Sequence, residues 1–389
     1  MKKLKLKNRT KAKLGLKGII IIILIIVAAG VSASIVTWYI IRKAPNRGIK
    51  IVRNSDFNLK YNFPGSGTKE DPYRIEDRTI SVQTRFGIDI TNTSEHFIIQ
   101  NCNIQAESHC IFLSDVGNGT AIVRNNILSQ FSAVYSPPVL IVKAPYCIFT
   151  NNTFAGTFRE GFGLSYSSYS IVANNTFQNM IYFAISVFNA QNVTIEFNEV
   201  INTELVKVNH SSAIGIASAD YCKILNNTVT GLFDYGIKIK QSSYVDVFYN
   251  HVKDGGYSGS FVLESDLCTI RHNVFEKYDS FGIALNTTNN MTIHSNVFSL
   301  NGNYAILQNS SAYNLLYHNS FFDNNLAQIH GISQSYDDGT ENNWSNILIL
   351  AGNHWSDLEW NGTAVYLIDG GSNVDNYPLE NPLVSLLLF

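Results

Sequence analysis

Cysteine, basic charge and helical periodicity are all in short supply in this 389-residue chain. Five cysteines, an odd number, do not make a dense disulfide framework, so the fold has to be held by its core. The 28 Lys and Arg are outnumbered by 30 Asp and Glu, and eight of the basic residues crowd into the first seventeen positions. The rest of the chain therefore holds 20 basic against 30 acidic residues, a formal charge of about −10. A body this acidic excludes nucleic acid as the expected partner. No 3.6-residue apolar period fits the long exterior segment, which argues against a helical domain.

An anchor signal comes first in the chain. Residues 18–41 are 24 positions without a charge. At about 1.5 Å per helical residue they are long enough to cross a bilayer core. The heavier basic cluster precedes this span, which places the N-terminus inside the cell and the remainder outside, with Trp38 and Tyr39 at the interface. Val31-Ser32-Ala33 also leaves a cleaved signal peptide open. The expected organisation is a basic cytoplasmic tail (1–17), one transmembrane anchor (18–41), a linker with an N-terminal cap (42–64), a repeat domain (65–340) and a C-terminal cap (341–389). The expected location is the plasma membrane, single-pass, with the repeat domain extracellular. Twelve Asn-x-Ser/Thr sequons follow the span, Asn92, Asn118 and Asn361 among them. Exposed ones could carry glycans, although a chain this rich in Asn, Ser and Thr also produces sequons by chance.

A phrase built on Asn then recurs: Asn152-Thr-Phe154, Asn175-Thr-Phe177, Asn227-Thr-Val229, Asn250-His-Val252, Asn273-Val-Phe275, Asn296-Val-Phe298 and Asn319-Ser-Phe321. With Cys102, Asn126 and Asn198 there are ten registers, spaced 24, 26, 23, 23, 29, 23, 23, 23 and 23 residues apart. Nine residues after the Asn stands a small residue (Gly161, Ala184, Gly236, Gly259, Gly282, Ala305), twelve after it mostly an aliphatic one, and twenty after it another apolar one. Three short period-two runs per repeat mean three β-strands per coil, each turning alternate side chains inward. The fold class is all-β, a single-stranded right-handed parallel β-helix of about ten coils. The recurring Asn is expected at a corner in a left-handed backbone, its amide bonding the next coil's Asn. Cys147, Cys222 and Cys268 share the column eighteen residues after the Asn once insertions are discounted, and read as small core residues rather than disulfide partners.

The repeats are framed by Gly65-Ser-Gly-Thr-Lys-Glu-Asp-Pro-Tyr-Arg-Ile75 before them, and by Asn353-His-Trp-Ser-Asp357 and Asn373-Val-Asp-Asn-Tyr-Pro-Leu379 after them. Over residues 65–380 this resembles the NosD-like right-handed β-helix proteins of archaeal and bacterial cell surfaces, within the pectin-lyase-like superfold. The resemblance departs between Asp357 and Val365, where such proteins often carry an acidic, calcium-loop-like stretch and this chain has Leu358-Glu-Trp-Asn-Gly-Thr-Ala364. The apolar end from Leu383 to Phe389 is too short to span a membrane and is expected to cover the open end of the solenoid.

Both larger insertions fall in the corner between the Asn strand and the small-residue column, where aromatics and acids concentrate. Arg159, Tyr182, Tyr235, Tyr257 and Tyr304 are the candidate ligand residues, since rings stack on sugar faces while polar edges bond hydroxyls. The same tyrosines also read as an outer stack that stiffens the corner. Glu160, Glu204, Asp234, Asp254 and Asp279 are the candidate carboxylates for a lyase or hydrolase, which needs two acids at defined separation. Neither paired-Asp motifs of polygalacturonase type nor a pectate-lyase-like Asp cluster with a facing Arg accompanies them. The NosD resemblance implies copper delivery, for which His251, His272, His294 and His318, in four consecutive coils, are the candidates. Only three Met accompany them, few for a copper(I) site. No cofactor is expected. The favoured reading is a surface glycan-binding or adhesion module whose partners are polysaccharide or glycoprotein glycans and the membrane.

Overall fold

The computed structural model describes residues 48–131, 136–156, 158–203, 208–325, 328 and 331–382. Residues 18–41, read as a transmembrane anchor, Glu204 and the apolar C-terminal end lie outside the described residues. Among the described residues no helix is long and apolar enough to cross a membrane.

Short strands rich in Ile, Val and Phe alternate inward and outward, and each coil lays its three strands beside those of the next. The result is a parallel β-solenoid of the right-handed type with three sheets of 12, 11 and 12 strands, called A, B and C here. Sheet A runs from Ile49–Ile51 to Ser335–Asp337, sheet B from Tyr73–Glu76 to Leu315–Tyr317, and sheet C from Thr79–Val82 to His354–Trp355. The first strand thus falls within the stretch read as linker and N-terminal cap, and the last within the C-terminal cap. These end coils fall outside the 23-residue period because the first has no ladder Asn and the last is reached by a 34-residue step from Asn319 to Asn353.

The B-to-C corner carries the amide ladder. From Asn126 to Asn353, each Asn Nδ2 donates to the next Asn Oδ1 at 2.9–3.1 Å. At Cys102 the thiol takes the amide's place, donating to the Gln100 carbonyl at 3.2 Å, while its backbone N–H bonds Asn126 Oδ1. One expectation needs correction. The ladder Asn is not the left-handed residue; the residue before it is, with φ of 52–57° from Asn125, Asn151 and Asn174 through Tyr249, His272 and His318. A left-handed residue turns the chain so that the following side chain points into the corner, where an amide can reach both its own coil and the next. Burial with full hydrogen bonding then selects Asn at the second position.

The small-residue column marks where sheet A bends inward. A Cβ added at Gly259 would lie 2.6 Å from a Phe275 ring carbon and 2.7 Å from the Gly282 carbonyl oxygen, and one at Gly282 would meet Phe298 equally closely. The rings of Phe275, Phe298, Phe321 and Trp355 stack at 5.6, 5.2 and 4.2 Å in the space the glycines leave. All five cysteines are free and buried, and Cys147, Cys222 and Cys268 sit in the apolar core as their shared column implied.

The two C-terminal phrases lock together. Asp375 accepts hydrogen bonds from the backbone of Asn353 (2.7 Å), from Trp355 Nε1 (3.0 Å) and from the backbone of Tyr377 (3.0 Å). The end of the amide ladder is thereby closed by a carboxylate, and the Asn-His-Trp-Ser-Asp and Asp-Asn-Tyr-Pro-Leu phrases serve the scaffold. At the A-to-B corner, Tyr146 stacks on Tyr169 and Tyr221 on Tyr244, each pair at 4.8 Å, all four in left-handed backbone and about half exposed.

Candidate functional site

Sheet A is the one sheet whose outer surface is strongly aromatic. Its bend leaves two outward rows. One joins Glu160, Phe183, Ser212, Tyr235, Ser258, Phe281 and Tyr304 across successive coils. The other joins Ser186, Gly215, Lys238, Phe261, Ala284, Leu307 and Tyr336. Phe281, Ala284 and Tyr304 form a second apolar cluster, separate from the solenoid core, against which Phe261, Leu307 and Tyr336 pack.

The predicted ligand residues divide into two groups. Arg159 lies over the Tyr182 ring at 5.2 Å. Tyr235 stacks on Phe261 at 4.7 Å and meets Tyr257 edge-on at 5.7 Å, and Tyr257 meets Phe281 edge-on at 5.2 Å. Tyr257 is 37% exposed, whereas Tyr304 is only 3% exposed, wedged against Tyr336 with its phenol pushed up to about 12 by burial. Burial also raises the phenols of Tyr235 and Tyr257. Beside them opens a cleft of about 450 Å³ lined by Asn209, His210, Asp234, Tyr235, Gly256, Tyr257 and Ser280.

The carboxylates are dispersed. Asp234 is buried and accepts the His210 backbone N–H, and its own N–H donates to Ser211 Oγ. Glu160 is half-buried in the outer row, its carboxyl raised by burial against the opposing pull of Arg159. Asp254 sits in left-handed backbone at the loop corner, and Asp279 is exposed. No described hydrogen bond joins any two of Glu160, Asp234 and Asp254.

The histidines are drawn into ring stacks outside the amide ladder. His272 stacks on Tyr249 at 5.1 Å, His294 on Tyr317 at 5.1 Å, and His272 meets His294 edge-on at 5.7 Å. His318 leans on Tyr317 at 5.0 Å, and His251 Nε2 lies 3.0 Å from Glu276 Oε1. Burial lowers the pKa of His272 and His318 and takes His294 down to about 4, helped by the nearby His272 and Arg271.

Phe183, Lys238, Lys240, Phe261, Phe281 and Tyr336 lie outside the loop corner and were not among the predicted site residues, and His210, at the corner's edge, was not singled out either. A usable signal existed for some of them: Lys238, Phe261, Ala284 and Leu307 stand eleven residues after the ladder Asn, the outward neighbour of the aliphatic column.

The profile of the NosD family, described as periplasmic copper-binding protein, matches residues 140–277 and 206–360. The chain belongs to the NosD family. No curated protein matches it. Among solved structures it resembles the Dettilon tailspike protein, at 13% identity over 78% of this chain and 70% of that one, with a TM-score of 0.54. It also resembles the periplasmic alginate epimerase AlgG (15% identity, 76% and 82% covered, TM-score 0.45). A third is the tailspike of E. coli bacteriophage HK620 in complex with a pentasaccharide (11% identity, 72% and 58% covered, TM-score 0.46). At these identities the likeness is one of fold.

Copper, named in the NosD family description, does not fit the donors of this member. Among the described residues no group of three or more His, Cys, Asp or Glu is placed to hold a metal ion. Among the described residues the soft donors are sealed in the core: Met180 and Met291 are buried, and burial pushes the Cys110, Cys147 and Cys268 thiols up to about 12. Thiols held protonated are poor ligands.

Proposed function

We propose that this NosD-family chain is a glycan-binding module displayed outside the cytoplasmic membrane, with residues 18–41 as its anchor and the outer face of sheet A as its sugar-contacting surface. The observation that carries the reading is the second apolar cluster on that face. Aromatic rings gathered outside the core, beside a polar cleft, offer flat apolar area with hydrogen-bonding edges, which is what the two faces of a sugar ring require. The cluster's own members are buried, and Tyr257, 37% exposed beside Phe281, is the ring open to solvent at its edge, where a polar rim would meet a ligand. The hydroxyls of Tyr235 and Tyr257, with Asn209 and Ser280, supply that rim.

Full-length protein in detergent, titrated against a panel of neutral and acidic polysaccharides, tests the reading, with a reducing-sugar assay run on the same mixtures. Saturable binding without release of reducing ends is expected. Failure to bind any member of the panel overturns the reading, and turnover would move it to the carboxylates of the same face.

A further inference from the structure

The outer face of sheet A has one bare strand. Val208–Ala217 carries exposed Asn209 and His210 near its start, but from Ser212 to Ala217 its outward positions are Ser212, Gly215 and Ala217, all small. On one side Met180–Phe188 presents Phe183 and Phe188, and on the other Phe233–Lys240 presents Tyr235, Lys238 and Lys240. Strands two apart lie about 9.6 Å from each other. The bare strand is therefore the floor of a trough about one sugar ring wide, with a volume of about 170 Å³.

The chemistry of the trough is unbalanced in one direction. Lys238 and Lys240 stand on the same wall with one residue between them, and neither takes part in an ion pair among the described residues, whereas Lys50, Lys143 and Arg271 do. The Lys238 ammonium lies 4.7 Å from the centre of the Tyr235 ring and 5.9 Å from that of Phe261. Its pKa is lowered, by burial first and by Lys240 second, with Asp234 opposing. Half-buried cations side by side in an otherwise acidic protein call for an anion. Beneath the floor, not lining it, Ser212 Oγ is fully buried without a hydrogen-bond partner. It lies beside Gly215, whose added Cβ would stand 3.8 Å from Ser212 Cβ and 3.3 Å from a Phe183 ring carbon. Gly215 is thus what keeps the trough open.

We propose that this trough binds one anionic sugar residue of an acidic polysaccharide, its carboxylate or sulfate group held by Lys238 and Lys240 and its ring lying on the bare strand against Phe183. The proposal rests on the glycan reading of the same face and names the class of glycan.

Binding of the full-length protein to polygalacturonate, dextran sulfate and uncharged dextran tests it, and the preferred polyanion tells carboxylate from sulfate. At least one polyanion should bind tenfold or more tightly than dextran. The Lys238→Ala/Lys240→Ala double variant should lose at least tenfold of that affinity, and Lys238→Arg/Lys240→Arg should retain most of it. Gly215→Leu should weaken binding with the charges intact, while Lys223→Ala, an exposed lysine on sheet B, should leave it unchanged. Equal losses from Lys223→Ala and from the double variant would mean general charge attraction and overturn the proposal. Lysine-independent binding of dextran, or of other panel glycans with neither polyanion bound, would overturn it too while leaving the glycan reading in place. Circular dichroism of each variant verifies its fold.

Discussion

At the B-to-C corner every buried amide is satisfied: Asn273 Nδ2 donates to Val247, Arg271 and Asn296 at 2.9–3.0 Å, and its Oδ1 accepts twice from Asn250. On the outer face of sheet A, made by the same coils, the Ser212 and Ser258 hydroxyls are buried with no hydrogen-bond partner among the described residues, and Lys238 stands on aromatic rings outside any ion pair among them. The first region is a closed network in which each group is specified by the next coil. The second leaves polar groups without internal partners. A repeat protein can hold both because the corner stacks like on like, whereas the outer rows of sheet A change residue type at every coil.

The largest test of this contrast is Asn273→Ala. Five hydrogen bonds vanish and several buried groups lose their partner, at about 1–3 kcal/mol per unsatisfied group, so a loss of about 3 kcal/mol or more is expected. Urea or thermal unfolding measures it, and glycan affinity of the remaining folded protein should not change. A drop of under about 0.5 kcal/mol would mean that the ladder is ornamental.

Tyr257→Ala should do the reverse. Removing a ring that is 37% exposed and touches Tyr235 and Phe281 edge-on should weaken glycan binding about tenfold, about 1.4 kcal/mol, with a smaller effect on the unfolding midpoint. Isothermal titration reads the first and a melt the second. Unchanged affinity with a large melting shift would reassign the aromatic face to the scaffold.

The smallest effect concerns pH. His294 is held near pKa 4 by burial and by His272, Arg271 and His318, with Asp246 opposing. A histidine depressed in the folded state contributes stability that is fully present above the unfolded value of about 6.5 and is lost as pH falls toward 4. Since the ring is partly solvated, about 1 kcal/mol is expected after screening. His294→Phe, which retains a ring against Tyr317, should flatten stability between pH 6.5 and 4.5. A slope identical to that of the unsubstituted protein would remove His294 from the titrating set.

Much of the scaffold was legible in the chain. The 23-residue period, the small column and the cysteine column all face inward, where each coil repeats the same local environment and therefore the same residue types. The corner Asn was legible too, though its backbone conformation belongs one position earlier, at residues as different as Asn174, Tyr249 and His272. No side-chain pattern marks a position whose requirement is purely a backbone angle and whose side chain points to solvent. The candidate site was half legible. Tyr235 and Tyr257 fall together at a cleft, Tyr182 pairs with Arg159 instead, and Tyr304 is nearly enclosed. Insertions in the loop corner shift each coil's outer residues, so position within a repeat does not foretell which neighbour a ring will meet.

What the amino-acid order determined by itself was the coil: periodic burial needs only that equivalent positions stack, and a 23-residue repeat makes them stack. Three things were decided only in three dimensions. Asp375 closes the amide ladder from 22 residues beyond Asn353. The rings of sheet A gather into a cluster outside the core. A bare stretch, from Ser212 to Ala217, comes to lie between Phe183 and Phe188 on one side and Lys238 and Lys240, without ion-pair partners among the described residues, on the other. Each depends on contacts between different coils, and such contacts are set by how far the solenoid advances per turn.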